Sequence, residues 1–137
     1  MNEYIIKELY KLCEKAYNND DVPVSCIITR NNKIIAKEYN KKVKNNDPTA
    51  HAEILCIRKA TKKLNTNNLN DCELYCSLMP CNMCKEVIKE VRIKQVYYLL
   101  NQEKNVNSKI TYKKIEVDNK IFNDFKGKIK TFFSNKR

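Results

Sequence analysis

His51-Ala52-Glu53 and Pro80-Cys81-Asn82-Met83-Cys84 are the two short segments of this chain whose residue types could do chemistry together. Cys81 and Cys84 are three apart, so one helical turn places both on one face. At a helix N-terminus the backbone N–H groups and the macrodipole favour thiolate over thiol, and thiolates are good zinc ligands. His51 supplies a third donor. Ligation by His, Cys and Cys leaves one tetrahedral position open, which separates a catalytic zinc site from a structural one. A catalytic zinc also needs a proton carrier for its water, and Glu53 is a carboxylate suited to that without being a ligand. Residues i and i+2 diverge by about 200° on an ideal helix. His51 and Glu53 therefore converge only if the helix begins beside them.

Other readings of the same residues stand beside this one. A single C-x-x-C serves equally as a redox pair or as two buried small residues, and a lone histidine is more often a satisfied core or surface residue. A structural zinc would need a fourth ligand. The chain has one histidine only, so Cys72 or Cys76 would have to supply it. Glu53 weighs against that closed site, because a purely structural zinc does not need it.

Several elements must position these groups. Ile5, Leu9, Leu12, Cys13 and Ala16 recur at helical spacing over 4–16. Val22 to Arg30 and Lys33 to Tyr39 are β-rich runs joined by Asn31-Asn32, a pair that tolerates positive φ and suits a tight hairpin. The loop Asn45-Asn46-Asp47-Pro48-Thr49 leads into a helix from about residue 50 to 64, with Asp47 or Thr49 as its expected cap and Pro48 in its first turn. Cys72 to Leu78 reads as a strand, 81–92 as a buried helix, and Gln95 to Leu100 as a strand. Lys109 to Val117 is a weaker strand. A helix over 119–134 carries the apolar stripe Phe122, Phe125, Ile129, Phe132 and Phe133. This alternation predicts one three-layer α/β domain over residues 1–137, with helices covering a central sheet.

Composition narrows the setting. Apolar residues make up 42% of the 137, which argues against overall disorder. No stretch approaches the roughly 20 apolar residues of a membrane span, and no secretory signal is visible in the first ten residues. Seven cysteines is an odd number for a disulfide scaffold, so a reducing cytoplasmic compartment is expected. Cys13, Cys26 and Cys56 read as small core residues, as do Cys72 and Cys76 beside Leu74 and Leu78. The formal net charge of +11 suits a polyanionic partner such as nucleic acid, or equally a solvated lysine-rich surface. Residues 101–137 hold ten Lys or Arg against four Asp or Glu, so the excess is weighted to that end. Lys41, Lys42 and Lys44 could grip phosphate or simply face water.

The pattern H-x-E followed by P-C-x-x-C is the signature of the zinc nucleobase deaminases. Asp21-Val22-Pro23-Val24, Asn40, the run from Asp47 to Ile54, Pro80 to Cys84, and Arg92-Ile93 together resemble the bacterial tRNA adenosine deaminases of the TadA type. The likeness is strong over 21–100 and weaker beyond. It implies a cytidine-deaminase-like α/β/α fold with a central mixed sheet, a homodimer, and conversion of adenosine to inosine at the wobble position of a tRNA anticodon. By matching position it implies that His51, Cys81 and Cys84 hold zinc and Glu53 moves protons. Asn40 would hydrogen-bond the nucleoside, the Ala52 N–H would contact the base, and Val22 would line the pocket. The chain departs from the family at Met79, where Glu is usual, at Lys41-Lys42, where Arg-Pro is common, and at Leu99-Leu100-Asn101-Gln102. Cytosine and guanine deaminases share much of both motifs, so a free base or nucleoside is the alternative substrate. A non-catalytic RNA-binding subunit that keeps zinc for stability is a further one.

Overall fold

The computed structural model describes residues 3–101, 110–115, 120, 123, 124, 126 and 127. In chain order its elements are α1 (Glu3–Asn18), β1 (Ser25–Arg30), β2 (Lys33–Tyr39), α2 (Ala52–Leu64), β3 (Cys72–Leu78), α3 (Asn82–Glu90), β4 (Gln95–Leu100) and β5 (Thr111–Lys114). The strands form one mixed sheet in the order β2-β1-β3-β4-β5. β1 is antiparallel to both β2 and β3, while β3, β4 and β5 run parallel.

Alternation along the strands divides the interior in two. Ile27, Tyr75 and Leu99 face α1, whose Ile5, Leu9, Leu12 and Cys13 complete that layer. Cys26, Ile28, Leu74, Cys76, Val96 and Tyr98 face the other way, against Cys56 and Ile57 of α2 and Ile88 of α3. The result is the expected α/β/α sandwich. On α2, Ala52, Cys56 and Ala60 are each fully buried, a row of small side chains one turn apart that lets the helix lie close to the sheet. Cys13, Cys26, Cys56, Cys72 and Cys76 are all free and buried, as small core residues should be.

The β1–β2 turn follows from its asparagines. Asn31 and Asn32 have φ of 52° and 64°, the paired positive values of a type I′ hairpin turn. With one glycine in the chain, Asn65 also takes the left-handed position, at the C-cap of α2. Two expectations are corrected. β1 begins at Ser25 rather than Val22, because Pro23 has no N–H and the Val24 N–H turns back to the Val22 carbonyl at 2.8 Å. Neither Asp47 nor Thr49 caps α2, and Pro48 precedes its first turn. The N-cap is His51, without a side-chain cap bond. Asp47 Oδ1 instead accepts from the Thr49 N–H at 2.9 Å and its hydroxyl at 2.8 Å, closing a local Asx turn.

The helix expected over 119–134 lies mostly outside the described residues, and its stripe of Phe122, Phe125, Ile129, Phe132 and Phe133 lies wholly outside them, as does Gln102. Lys120, Asn123, Asp124, Lys126 and Gly127 are helical.

Glu38 on β2 ties α2 and the following loop to the sheet edge. Its buried carboxylate takes the Lys41 and Lys59 ammoniums, each at 2.9 Å. Burial alone would raise its pKa, but Lys59, Lys41 and the Tyr39 N–H outweigh burial and hold it below the ordinary 4.5. A group with a depressed folded pKa stabilises the fold above its unfolded pKa and loses that effect as pH falls through the folded value. Glu38→Gln should therefore destabilise by about 1 kcal/mol at pH 7. In denaturant titrations the gap from wild type should close as pH falls below 4.5.

Candidate active site

The site lies where β3 ends and both α2 and α3 begin, outside the carboxyl end of the parallel strands. His51 is the N-cap of α2, with extended backbone at φ −69° and ψ 150°. Glu53 is two residues on, inside the first turn. The change of backbone conformation between them lets two side chains that would diverge on a continuous helix line one cavity. Cys81 holds the same station on α3, an extended N-cap at φ −72° and ψ 172°, and Cys84 follows in the first turn.

Cys81 Sγ and Cys84 Sγ lie 3.6 and 3.5 Å from His51 Nδ1, and the three ligand atoms all fall within 4.8 Å of one another. A tetrahedral zinc with Zn–S about 2.3 Å and Zn–N about 2.0–2.1 Å sets its N and S donors about 3.6 Å apart. The donor spacing therefore fits that ion, and the borderline-soft N,S,S set suits zinc rather than a hard cation. Among the described residues no fourth His, Cys, Asp or Glu joins the group. Cys76 Sγ instead donates to the Tyr97 carbonyl at 3.5 Å, and Cys72 sits 3.6 Å from Asp71 Oδ1.

Burial sets the proton affinities. His51 is held below its ordinary pKa by desolvation and then by the nearby Lys42 charge, which favours the neutral imidazole a metal needs. The Cys84 thiol is pushed far up by burial and by the Glu53 charge, so a metal would have to displace its proton to bind the sulfur. Glu53 is 3% exposed, and burial raises its pKa to about 7, against smaller lowering from its own backbone and Cys84. Its Oε1 is buried without a hydrogen-bond partner. An acceptor left unmatched in this way is costly unless a ligand or water uses it.

A cavity of about 210 Å³ opens beside the three donors, lined by Val22, Val24, Asn40, Lys42, Ala52, Glu53, Leu78 and Met79 along with His51 and Cys81. Asn40 is nearly buried; its Nδ2 donates to the Val22 carbonyl at 3.4 Å and its Oδ1 accepts the Lys42 N–H at 3.2 Å. Ala52 is the first helical residue of α2, so its N–H has no acceptor within the helix. Six of the seven residues singled out from the sequence line the cavity, and the seventh, Cys84, stands beside His51 at its edge. Val24, Leu78 and Met79 were not singled out as lining; they sit at strand ends beside the motifs, which is the signal that could have found them. Lys42, read only as a residue that could face phosphate or water, also lines the cavity. Met79 is fixed by its N–H on the Leu100 carbonyl at 2.8 Å.

Residues 1–100 match the model of the cytidine and deoxycytidylate deaminase zinc-binding region. The chain belongs to this deaminase family. Its cofactor is zinc, consistent with the donor set. A tRNA-specific adenosine deaminase of Aquifex aeolicus is 41% identical over 96 residues, 70% of this chain and 64% of that protein, so the chain spans just under two thirds of that relative. A guanine deaminase of Bacillus subtilis is 38% identical over 108 residues, 76% of this chain and 69% of that one. A solved structure from work on A-to-I editing by tRNA:A34 deaminases at the wobble position superposes with a TM-score of 0.70 at 32% identity, covering 72% of this chain and 76% of its own.

If the three donors hold the metal and the other cysteines do not, Cys81→Ala should lose zinc measured by elemental analysis of freshly purified protein. Cys76→Ser should keep about one zinc per chain. Loss of metal from Cys76→Ser would mean a closed, four-ligand structural site.

Proposed function

We propose that this deaminase converts adenosine to inosine at the wobble position of a tRNA anticodon, with His51, Cys81 and Cys84 as zinc ligands. The observation that carries the chemistry is one cavity shared by that donor set and a buried carboxylate with an unmatched oxygen. Zinc, when bound, acidifies a water and makes it nucleophilic near neutral pH. Glu53 takes the proton on its carboxylate and delivers it to the ring nitrogen beside the amino-bearing carbon. That carbon becomes electrophilic and accepts the hydroxide; Glu53 then moves the proton of the new hydroxyl to the amino group, which leaves as ammonia while the carbonyl forms. Adenosine and water give inosine and ammonia. A carboxyl pushed to about 7 by its surroundings can both hold and release a proton near neutrality. Val22 packs the base, the Ala52 N–H meets its edge, and Asn40 orients the nucleoside.

The RNA substrate is supported by the net charge of +11 and by the adenosine deaminase relatives. The target base must be unstacked to enter so small a cavity, which favours a loop nucleotide. The guanine deaminase relative supports a second reading, hydrolysis of a free base. We read the chain as one domain acting as a cytoplasmic homodimer. No helix among the described residues is long and apolar enough to cross a membrane, and analytical ultracentrifugation should give twice the chain mass.

Glu53→Ala should retain zinc and fold while turnover falls by about 10²–10⁴-fold; near-wild-type turnover would remove Glu53 from the chemistry. On an anticodon stem-loop, affinity should fall with salt at a log–log slope of roughly −0.7 to −0.9 for each phosphate contacted. Efficient, salt-insensitive turnover of free guanine, cytosine or adenosine with none on the stem-loop would select the second reading.

A further inference from the structure

The loop between Asn40 and His51 forms one rim of the cavity, and its backbone is fixed to an unusual degree. Three successive N–H groups are each taken by a side-chain oxygen. Lys42 donates to Asn40 Oδ1 at 3.2 Å, Val43 to Asp21 Oδ1 at 2.7 Å, and Lys44 to Asp21 Oδ2 at 3.2 Å. Asp21 is 1% exposed and comes from the far side of the rim, just before the Val22 that lines it. The Lys42 carbonyl is held as well, by the Asp47 N–H at 3.0 Å. A buried carboxylate accepting backbone N–H groups makes strong, charge-assisted bonds, so residue 42 stands on a rigid support.

The three loop lysines are not alike. Lys41 is 2.9 Å from Glu38 and lies over the Tyr39 ring. Lys44 donates to the Tyr39 hydroxyl at 3.3 Å. Lys42 is exposed, lines the cavity, and among the described residues meets no carboxylate. The one acid in the cavity wall is Glu53, which the chemistry already uses. A compact ammonium held at the mouth of a pocket for a neutral base has nothing to pair with on that base, but it suits the phosphate that travels with it.

We propose that Lys42, positioned by Asp21, determines specificity by pairing with the backbone phosphodiester next to the target nucleoside. This rests on the RNA reading above and goes further, since it assigns the discrimination of RNA from free base to one side chain. The rigid loop removes backbone ordering from the cost of that contact, leaving only the side chain to be fixed. Asp21 is a positioning residue and touches no substrate.

The test crosses protein and substrate changes on zinc-loaded enzyme. An anticodon stem-loop is compared with one whose phosphates flanking the target adenosine are neutral methylphosphonates. Wild type should lose about tenfold in kcat/KM on the neutral linkage, through KM, and Lys42→Gln should lose about as much on the natural stem-loop. The two changes together should cost no more than either alone, and the salt slope should flatten by about 0.7. Asp21→Asn should likewise become insensitive to the neutral linkage, which a mere loss of stability would not produce. Lys63→Gln, at the other end of α2, should keep full sensitivity. Multiplying losses for Lys42→Gln and the neutral linkage, or an unchanged KM in that variant, would overturn the assignment while leaving the RNA substrate standing. If wild type ignores the stem-loop but turns over adenosine 5′-monophosphate in preference to adenosine, the RNA reading fails and the anion is a free nucleotide's. Turnover of the free base alone would overturn both.

Discussion

Two helices must begin at one point. α2 and α3 are remote in sequence and attach to different strands, yet the side chains at their N-caps stand within 3.6 Å of each other. A helix N-terminus carries unsatisfied N–H groups and roughly half a positive charge. Bringing two together is unfavourable unless anionic groups occupy the space between, and the chain places two cysteines and a carboxyl there, the cysteines becoming anionic when a metal displaces their protons. The usual remedy for a helix start, a Ser, Thr, Asp or Asn cap worth about 1 kcal/mol, is absent from both. His51 and Cys81 face one another instead of folding back on their own helices. The fold gives up two caps to obtain a donor set, and a cation between them restores the balance.

The sheet makes that meeting possible. β3 ends at Leu78, and Met79-Pro80 carry the chain straight into α3, so the cysteines inherit their position from the central strand. α2 reaches the same point from the other side because its small residues let it settle against Cys26, Leu74 and Cys76. Glu53 is dry for the same reason. Its carboxyl sits in the layer that Cys76 and Cys26 occupy, where burial raises the proton affinities of both thiols and the Glu53 charge adds to it. Core packing and the carboxyl's proton affinity thus share one cause.

Regular elements were legible because their signals are local. β2, β3 and β4 have the bounds read from their β-rich, alternating and apolar runs, and the hairpin turn follows from two adjacent asparagines. The cluster of His51, Cys81 and Cys84 was legible because the cysteines are spaced by a helical turn beside a strand end. What escaped was the loop between Asn40 and His51. Asp47 looks like a cap in sequence, but its carboxylate is used two residues on, before the helix starts. Asp21 reads as an ordinary acid ahead of Val22-Pro23; the N–H groups that donate to it lie more than twenty residues away, and no periodicity announces a carboxylate that grips backbone N–H groups. Loop structure of this kind is set by long-range hydrogen bonds that composition does not encode.

The row Ala52, Cys56, Ala60 has a consequence for how the protein tolerates change. Because α2 lies flush on the sheet along that row, its spacing from the sheet and the placement of His51 are a single mechanical variable. A larger side chain at Ala60 would lever the helix outward, about 13 Å of rise from His51, and since helices are stiff the displacement would reach His51 at its N-cap. Misplacing a reacting group by 1 Å can cost about a hundredfold in rate, whereas overpacking a core position costs typically about 1–3 kcal/mol. Mutational robustness is therefore unequal for the two properties. Variants along this row will remain folded and soluble over a range in which they have already lost function, so a screen for expression alone would score as neutral the changes that silence the enzyme.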